Sequence, residues 1–145
     1  MKIPKELVNG FIIFLGIAIY FLLMNALGFG NSFYLRLFNI IFVFYGVNRT
    51  IEMNISTEDK SFVNNAISAM FTSLIGVFLS IIGLISYSYL KGGDPFVQSL
   101  SKTFLFGGNP SIFTYSISLL FEGIASSVIV TMLLMLYWNN RLAAD

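Results

Sequence analysis

The chain has 145 residues, of which 57% are hydrophobic and only 10% are charged, whereas a soluble domain carries about 25% charged residues. It therefore has too little polar surface for a soluble domain and is predicted to be a single integral-membrane domain over residues 1–145, with lipid as its solvent. The net charge of +1 indicates no nucleic-acid partner, and the absence of Cys and His excludes disulfides, ordinary zinc sites and Ser-His-Asp catalysis.

Four stretches are long and apolar enough to cross a membrane as helices. They cover about residues 7–27, 33–53, 62–90 and 111–138. Helix-start signals occur as early as Thr57, so the third helix is predicted either to tilt strongly or to begin in water. The fold class is therefore predicted to be all-α, as a four-helix transmembrane bundle.

The connection between the third and fourth spans is predicted to contain a further helix. Asp94 and Pro95 are a good helix start, and Gly107 with Gly108 is a good stop. The apolar residues between them share one helical face, which predicts a short amphipathic helix over about residues 95–106 in the membrane interface. The alternative is a mobile loop.

The distribution of Lys and Arg predicts the orientation of the chain. One side of the four-span arrangement carries Lys2, Lys5, Arg49, Lys60 and Arg141, and the other carries only Arg36, Lys91 and Lys102. Cytoplasmic segments are the richer in positive charge, so both termini are predicted to be cytoplasmic.

One acid, Glu122, lies deep in a predicted span. A carboxylate is costly in hydrocarbon, so its side chain should face protein or water. Ser118 and Ser126 share its helical face at i−4 and i+4, and Arg36 and Asn39 lie on a polar face of the second span. These five residues are the candidate intramembrane polar site.

Arg36 and Glu122 allow two interpretations. In the first they form an ion pair, which would lessen the cost of desolvating both charges. In the second Arg36 extends to lipid headgroups, while Glu122 is protonated or bonds to a serine or an asparagine.

Small and polar residues repeat every four positions along the third span, and a second small stripe lies in the last span. Such stripes let helices approach closely, and the alternative is a polar pathway through the bundle. The first span carries few residues of this kind, which predicts a more lipid-exposed or partner-facing position for it. The candidate helix-packing residues are Ser68, Thr72, Gly76, Ser80, Gly123 and Ser127.

The stretch Tyr34-Leu-Arg-Leu-Phe-Asn-Ile, followed by Gly46, resembles a group of small four-span bacterial inner-membrane proteins of unknown function. The shared pattern is Leu-Arg-x-x-Asn early in the second span together with a small-residue third span. The resemblance covers about a third of the chain. It implies a multi-pass protein of the bacterial inner membrane, and it implies no activity.

No nucleotide-binding loop or catalytic motif occurs, so the sequence predicts neither an enzyme, nor a cofactor, nor a nucleotide partner. The first functional hypothesis is an accessory or assembly subunit of a larger inner-membrane complex, bound to lipid and to other membrane proteins or to itself. The second is a small oligomeric transporter or ion channel that uses Glu122 as a proton or cation site. An enzyme of lipid metabolism ranks third.

Overall fold

The computed structural model describes residues 2–101 and 109–143, and these residues form helices and connecting turns without a β-strand. The helices are α1 (Lys5–Ala26), α2 (Phe33–Leu37), α3 (Asn39–Ser56), α4 (Phe62–Leu90), α5 (Asp94–Leu100) and α6 (Ile112–Trp138), which a 3-10 turn (Asn139–Arg141) follows. By length and composition, α1, α4 and the stretch Ile112–Arg141 could each cross a membrane. The predicted all-α class and three apolar helices of spanning length are thus present.

The second predicted span, 33–53, is not one continuous helix, and in this the prediction was wrong. It is divided at Phe38 into α2 and α3, and α3 runs on to Ser56. The hydroxyl of Tyr20 on α1 donates to the carbonyl oxygen of Leu35 at 2.7 Å. A continuous helix would offer that oxygen to the amide of Asn39, so the break coincides with a tertiary contact.

The connection before α6 contains the helix α5, which begins at the Asp94-Pro95 pair. The Oδ1 atom of Asp94 accepts a hydrogen bond from the amide of Ile112 at 2.9 Å, so the start of α5 is tied to the start of α6. Val97 and Leu100 are buried against Ile112. The helix therefore packs on the end of the bundle, and its predicted continuation to residue 106 falls outside the described residues.

Helices α3 and α4 form the centre of the bundle. They pack against each other, and each also packs against α1 and α6. Nine buried side chains from α1, α3, α4 and α6 make the main core, namely Ile13, Val43, Val47, Ile51, Ala69, Val130, Leu134, Met135 and Trp138.

The first helix is the most exposed of the three long apolar helices, as its lack of small residues predicted, since 17% of its most apolar stretch is buried against 28% in α4 and in the last helix. One face of α1 nevertheless packs into the core. Asn9, Gly10 and Ile13 of α1 are buried between α3 and α4, although the opposite face of α1 stays exposed. Gly46 on α3 and Gly76 on α4 approach Ile13 from two sides. A Cβ atom at Gly46 would overlap the Ile13 side chain and lie 3.1 Å from the carbonyl oxygen of Asn9. The two glycines thus make room for a large side chain on α1.

Buried polar side chains join the helices near the chain termini. Asn9 donates to the hydroxyl of Thr50 at 2.9 Å, and this hydroxyl lies 2.9 Å from that of Thr72. One turn further along, Asn54 donates to Asn65 at 3.0 Å. Helix α3 is less apolar than α1, α4 and α6 and is not among the helices that could span a membrane by composition. The contacts explain the difference, since the polar side chains of α3 bond to partners inside the bundle.

The N-terminus, the α3–α4 connection and the C-terminal residues lie at one end of the bundle. The amide of Ala143 donates to the carbonyl oxygen of Lys60 at 2.7 Å, and Ser68 donates to the carboxylate of Glu6 at 2.8 Å. The α1–α2 turn, α5 and the start of α6 lie at the other end, where Asn25 contacts the hydroxyl of Tyr87. We call these the termini end and the turn end.

The close approach around Ile13 predicts a specific pattern of stability. Gly46→Ala should lower the free energy of unfolding by about 1–3 kcal/mol, because the added methyl group overpacks the core. Ile13→Ala should cost about 2–5 kcal/mol by leaving a cavity. The double variant should be more stable than the sum of the single changes indicates, because the smaller side chain at position 13 makes room for the new methyl group.

Unfolding in mixed micelles by titration with a denaturing detergent would measure these free energies. Ala26→Leu, at an exposed alanine of α1, is the control and should change the free energy by less than about 0.5 kcal/mol. Strict additivity of the Gly46 and Ile13 changes would contradict the packing described for α1.

Candidate functional site

The structure brings the two charged residues of the candidate polar site together. Arg36 on α2 places its Nη2 atom 3.2 Å from the Oε1 atom of Glu122 on α6. The two side chains are 23% and 39% exposed, so both are partly shielded. The sequence left open whether Arg36 pairs with Glu122 or extends to lipid headgroups, and in the structure the two residues form the ion pair.

Two aromatic residues hold the guanidinium group of Arg36 in place. Its Nη1 atom donates to the hydroxyl oxygen of Tyr115 at 3.0 Å, and its central carbon lies 5.2 Å from the centre of the Phe33 ring. Tyr115 is buried near the start of α6, about two helical turns before Glu122. The Arg36 side chain on α2 therefore contacts two positions of α6 that are about two helical turns apart.

Tyr115 was missing from the sequence-based site. A tyrosine close to the end of an apolar helix is typical of an interfacial anchor, so its position alone gives no signal of a buried role. Its distance of seven residues from Glu122 does place both on one helical face, since seven residues are nearly two turns. That spacing was the available signal.

Asn39 is the first residue of α3 and shares a cavity wall with Arg36 and Glu122. Its Oδ1 atom is buried and has no hydrogen-bond partner among the described residues, and the same holds for the Nε atom of Arg36. The ion pair therefore lies in a region where the polar groups are only partly satisfied.

The two predicted serines differ in position. Ser126 lines the cavity with Glu122, whereas Ser118 is half-buried and does not line it. Six residues of α6 line the cavity, and four of them, Tyr115, Leu119, Glu122 and Ser126, recur at alternating four and three positions. Of the two serines predicted to share the face of Glu122, Ser126 therefore lies on the cavity wall with it and Ser118 does not.

The cavity has a volume of about 540 Å³ and lies between the helices near the turn end. Its walls are mostly hydrocarbon, from side chains such as Phe14, Ile17, Ile40, Ile81 and Leu84. Four lining residues are exposed on the outer surface, namely Leu22, Phe29, Leu37 and Ala125, so the cavity is accessible from outside the bundle. A cavity of this size is within the range of about 300–1,000 Å³ for small-molecule sites.

The small-residue stripes serve the contacts between helices. Gly76 faces Ile13, and a Cβ atom at Gly123 would overlap the Val77 side chain of α4. Ser80 donates to the carbonyl oxygen of Gly76 at 2.7 Å, and Ser127 to that of Gly123 at 2.8 Å.

Two further residues of the stripe on α4 bond across the bundle, Thr72 toward Thr50 and Ser68 toward Glu6. Bonded hydroxyls at the contacts favour close packing over a polar pathway along α4.

Within residues 2–101 and 109–143, no group of three or more His, Cys, Asp or Glu side chains could hold a metal ion. The chemistry of the site is therefore that of a carboxylate held by a guanidinium group beside an apolar cavity. One carboxylate oxygen, Oε2 of Glu122, has no hydrogen-bond partner among the described residues.

Comparisons with protein-family models, with curated proteins and with solved structures found no match to this chain. The resemblance to small four-span bacterial inner-membrane proteins therefore stays a prediction.

The ion pair predicts coupled effects of two substitutions. Arg36→Gln and Glu122→Gln should each lower the free energy of unfolding by about 1–3 kcal/mol, less than the about 3–5 kcal/mol of a fully buried pair, because both side chains are partly exposed. The double variant should lose less than the sum, since neither charge is then left alone.

Detergent titration of the four proteins gives the coupling free energy. Glu52→Gln, at an exposed glutamate near the end of α3, should leave stability within about 0.5 kcal/mol of the parent protein. A coupling of zero would mean that the two charges do not stabilise each other.

Proposed function

We propose that the chain is a non-catalytic accessory or assembly subunit of a larger membrane protein complex. The observation that carries this proposal is the pairing of Glu122 with Arg36. The acid that lies deep in α6 is neutralised by a side chain of the same molecule, which suits a structural role better than the carriage of protons or cations. Its partners are the lipid bilayer and other integral membrane proteins, or a second copy of the chain.

The surface of α6 supports a role in contacts within the membrane. Phe113, Phe121, Leu136 and Tyr137 project from this helix with 70–75% of their surface exposed. The connections between the helices are short at both the α1–α2 turn and the α3–α4 connection. Most of the accessible surface is therefore the outer face of helices, where only lipid or another membrane-embedded chain can make contact.

We also propose that the chain crosses a bacterial inner membrane four times, with α2 and α3 together as the second crossing. Phe33–Ser56 corresponds to roughly 36 Å of helix, enough for a hydrocarbon layer of about 30 Å. Four crossings agree with the proximity of Lys60 and Ala143 at the termini end. The excess of Lys and Arg at that end supports a cytoplasmic location for both termini.

Because the chain contains no cysteine, single introduced cysteines can test this topology directly. Lys60→Cys should react with a membrane-impermeant maleimide only after the membrane is opened, and Lys91→Cys should react in intact spheroplasts. Glu58→Cys is a second exposed position at the termini end and should behave like position 60. Equal labelling of positions 60 and 91 in intact spheroplasts would place both on the same side of the membrane and would contradict the single crossing by α4 that is proposed between them.

A small oligomeric transporter or channel is the second candidate function. The observation that favours it is the cavity of about 540 Å³ whose wall includes Glu122. For transport, Arg36 would have to release the carboxylate during the cycle, because a paired carboxylate offers no free charge to a cation.

Purification in a mild detergent separates the two functions. The accessory-subunit proposal expects other integral membrane proteins to co-purify at fixed stoichiometry, and it expects no ion flux from the protein alone in liposomes. Flux that Glu122→Gln abolishes, while Glu52→Gln leaves it intact, would overturn the proposal in favour of the transporter. Purification of the chain from native membranes without any other protein, in the same mild detergent, would also count against a subunit role.

A further inference from the structure

The cavity near the turn end is accessible from outside the bundle and is mostly apolar. Four residues that line it are also exposed on the outer surface, namely Leu22 on α1, Phe29 in the α1–α2 turn, Leu37 on α2 and Ala125 on α6. Water gains little from such walls, since it would find few polar partners there. A hydrocarbon chain from the surrounding bilayer matches both the lining and the route of entry.

The wall of the cavity is not apolar throughout, and its polar part is specific. Glu122 is 39% exposed, and its Oε1 atom already accepts a hydrogen bond from Arg36. Its Oε2 atom is an acceptor without a partner among the described residues. Each Nη atom of Arg36 uses one N–H donor, toward Glu122 and Tyr115, and its Nε atom is buried without a partner. The carboxylate of Glu122 is the group on this wall that can only accept a hydrogen bond, and its Oε2 atom is open.

The charge of this wall restricts the head of a bound molecule. A carboxylate and a guanidinium group at 3.2 Å have no net charge, so a charged head would leave one unit of charge uncompensated in apolar surroundings. An anionic head would also approach Glu122, which repels it. A hydroxyl group has a donor for the Oε2 atom and carries no charge.

We propose that this cavity binds a single-chain amphiphile with an uncharged hydroxyl head, with its chain among the α1, α3 and α4 side chains and its hydroxyl group donating to Glu122. Fatty alcohols, prenols and monoacylglycerols share this chemistry. The inference goes beyond the proposed subunit role and does not depend on it.

The proposal separates into two parts that can be tested independently. The apolar walls bind the chain, and they should do so whatever the head. The carboxylate selects the head, and a hydrogen bond to a charged acceptor should give a preference of about tenfold for an alcohol over an alkane of equal length.

Photo-labelling tests both parts on the whole protein in phosphatidylcholine nanodiscs. The probe is hexadecanol with a diazirine in the middle of its chain, and mass spectrometry locates the label. Label should appear on cavity-lining residues such as Leu84 and Leu119. Unlabelled hexadecanol should compete about tenfold better than hexadecane, palmitate or hexadecylamine.

Three variants give the controls. Ala125→Phe should fill the opening and reduce the labelling of cavity residues about tenfold, whereas Ala26→Phe, at an exposed alanine that does not line the cavity, should leave it unchanged. Arg36→Gln combined with Glu122→Gln removes both charges without leaving one alone. It should weaken the labelling by the hexadecanol probe by up to about tenfold while leaving the label on the cavity residues, and it should bring the competition by hexadecanol and hexadecane to about the same level. Monodisperse elution from gel filtration establishes that each variant is folded.

Each other outcome overturns the proposal. Label spread evenly over the exposed helix faces, or unchanged in Ala125→Phe, would mean that the cavity binds no chain. Equal competition by hexadecane in the parent protein would mean that Glu122 selects no head. Stronger competition by palmitate or hexadecylamine would mean that one charge of the pair binds an ionic head instead.

Discussion

The pairing of Arg36 with Glu122 is the interaction on which the turn end of the molecule depends. An isolated charge in hydrocarbon is expensive, so each of these side chains requires the other or a route to water. The pair joins α2 to α6, two helices that are far apart in the sequence, and Tyr115 fixes the arginine from a second level of α6. Both charged side chains of this bridge are part of the wall of the cavity that lies between the helices.

At the termini end, too, buried polar side chains have partners on other helices, but these side chains form hydrogen bonds and not an ion pair. There the buried polar groups are uncharged, and they bond to one another across helices through their amide nitrogens, as in Asn9 with Thr50 and Asn54 with Asn65, although the Oδ1 atoms of Asn9 and Asn54 have no partner among the described residues. Such bonds are individually modest, about 0.6 kcal/mol on average between membrane helices. Close packing around Ile13 accompanies them. The contacts around Ile13 are therefore tight, whereas the ion pair lies beside a cavity of about 540 Å³.

Much of the fold was accessible from the sequence, because long apolar runs, helix starts and glycine turns are local signals. Asp94 with Pro95 located the start of α5, and the apolar runs located α1, α4 and α6. The break at Phe38 was not accessible, because it involves Tyr20 on another helix. The exposed character of α1 was predicted, but the burial of Ile13 was not accessible, for a related reason. The small residues that admit Ile13 lie on its partners, Gly46 and Gly76, and not on α1 itself.

The two charged residues of the candidate site could be predicted from the sequence, but the cavity beside them could not. Glu122 and Arg36 stand out because charged residues are rare in apolar helices, and the cost of burying them makes a pairing the natural solution. The cavity beside them has no sequence signal, since its apolar walls are made of residues that would otherwise be read as ordinary core or lipid contacts. The cavity is accessible from outside because four residues of its wall, Leu22, Phe29, Leu37 and Ala125, are exposed on the outer surface. The distinctive property of this bundle is therefore a neutral pair of charges placed where hydrocarbon from the bilayer can reach it.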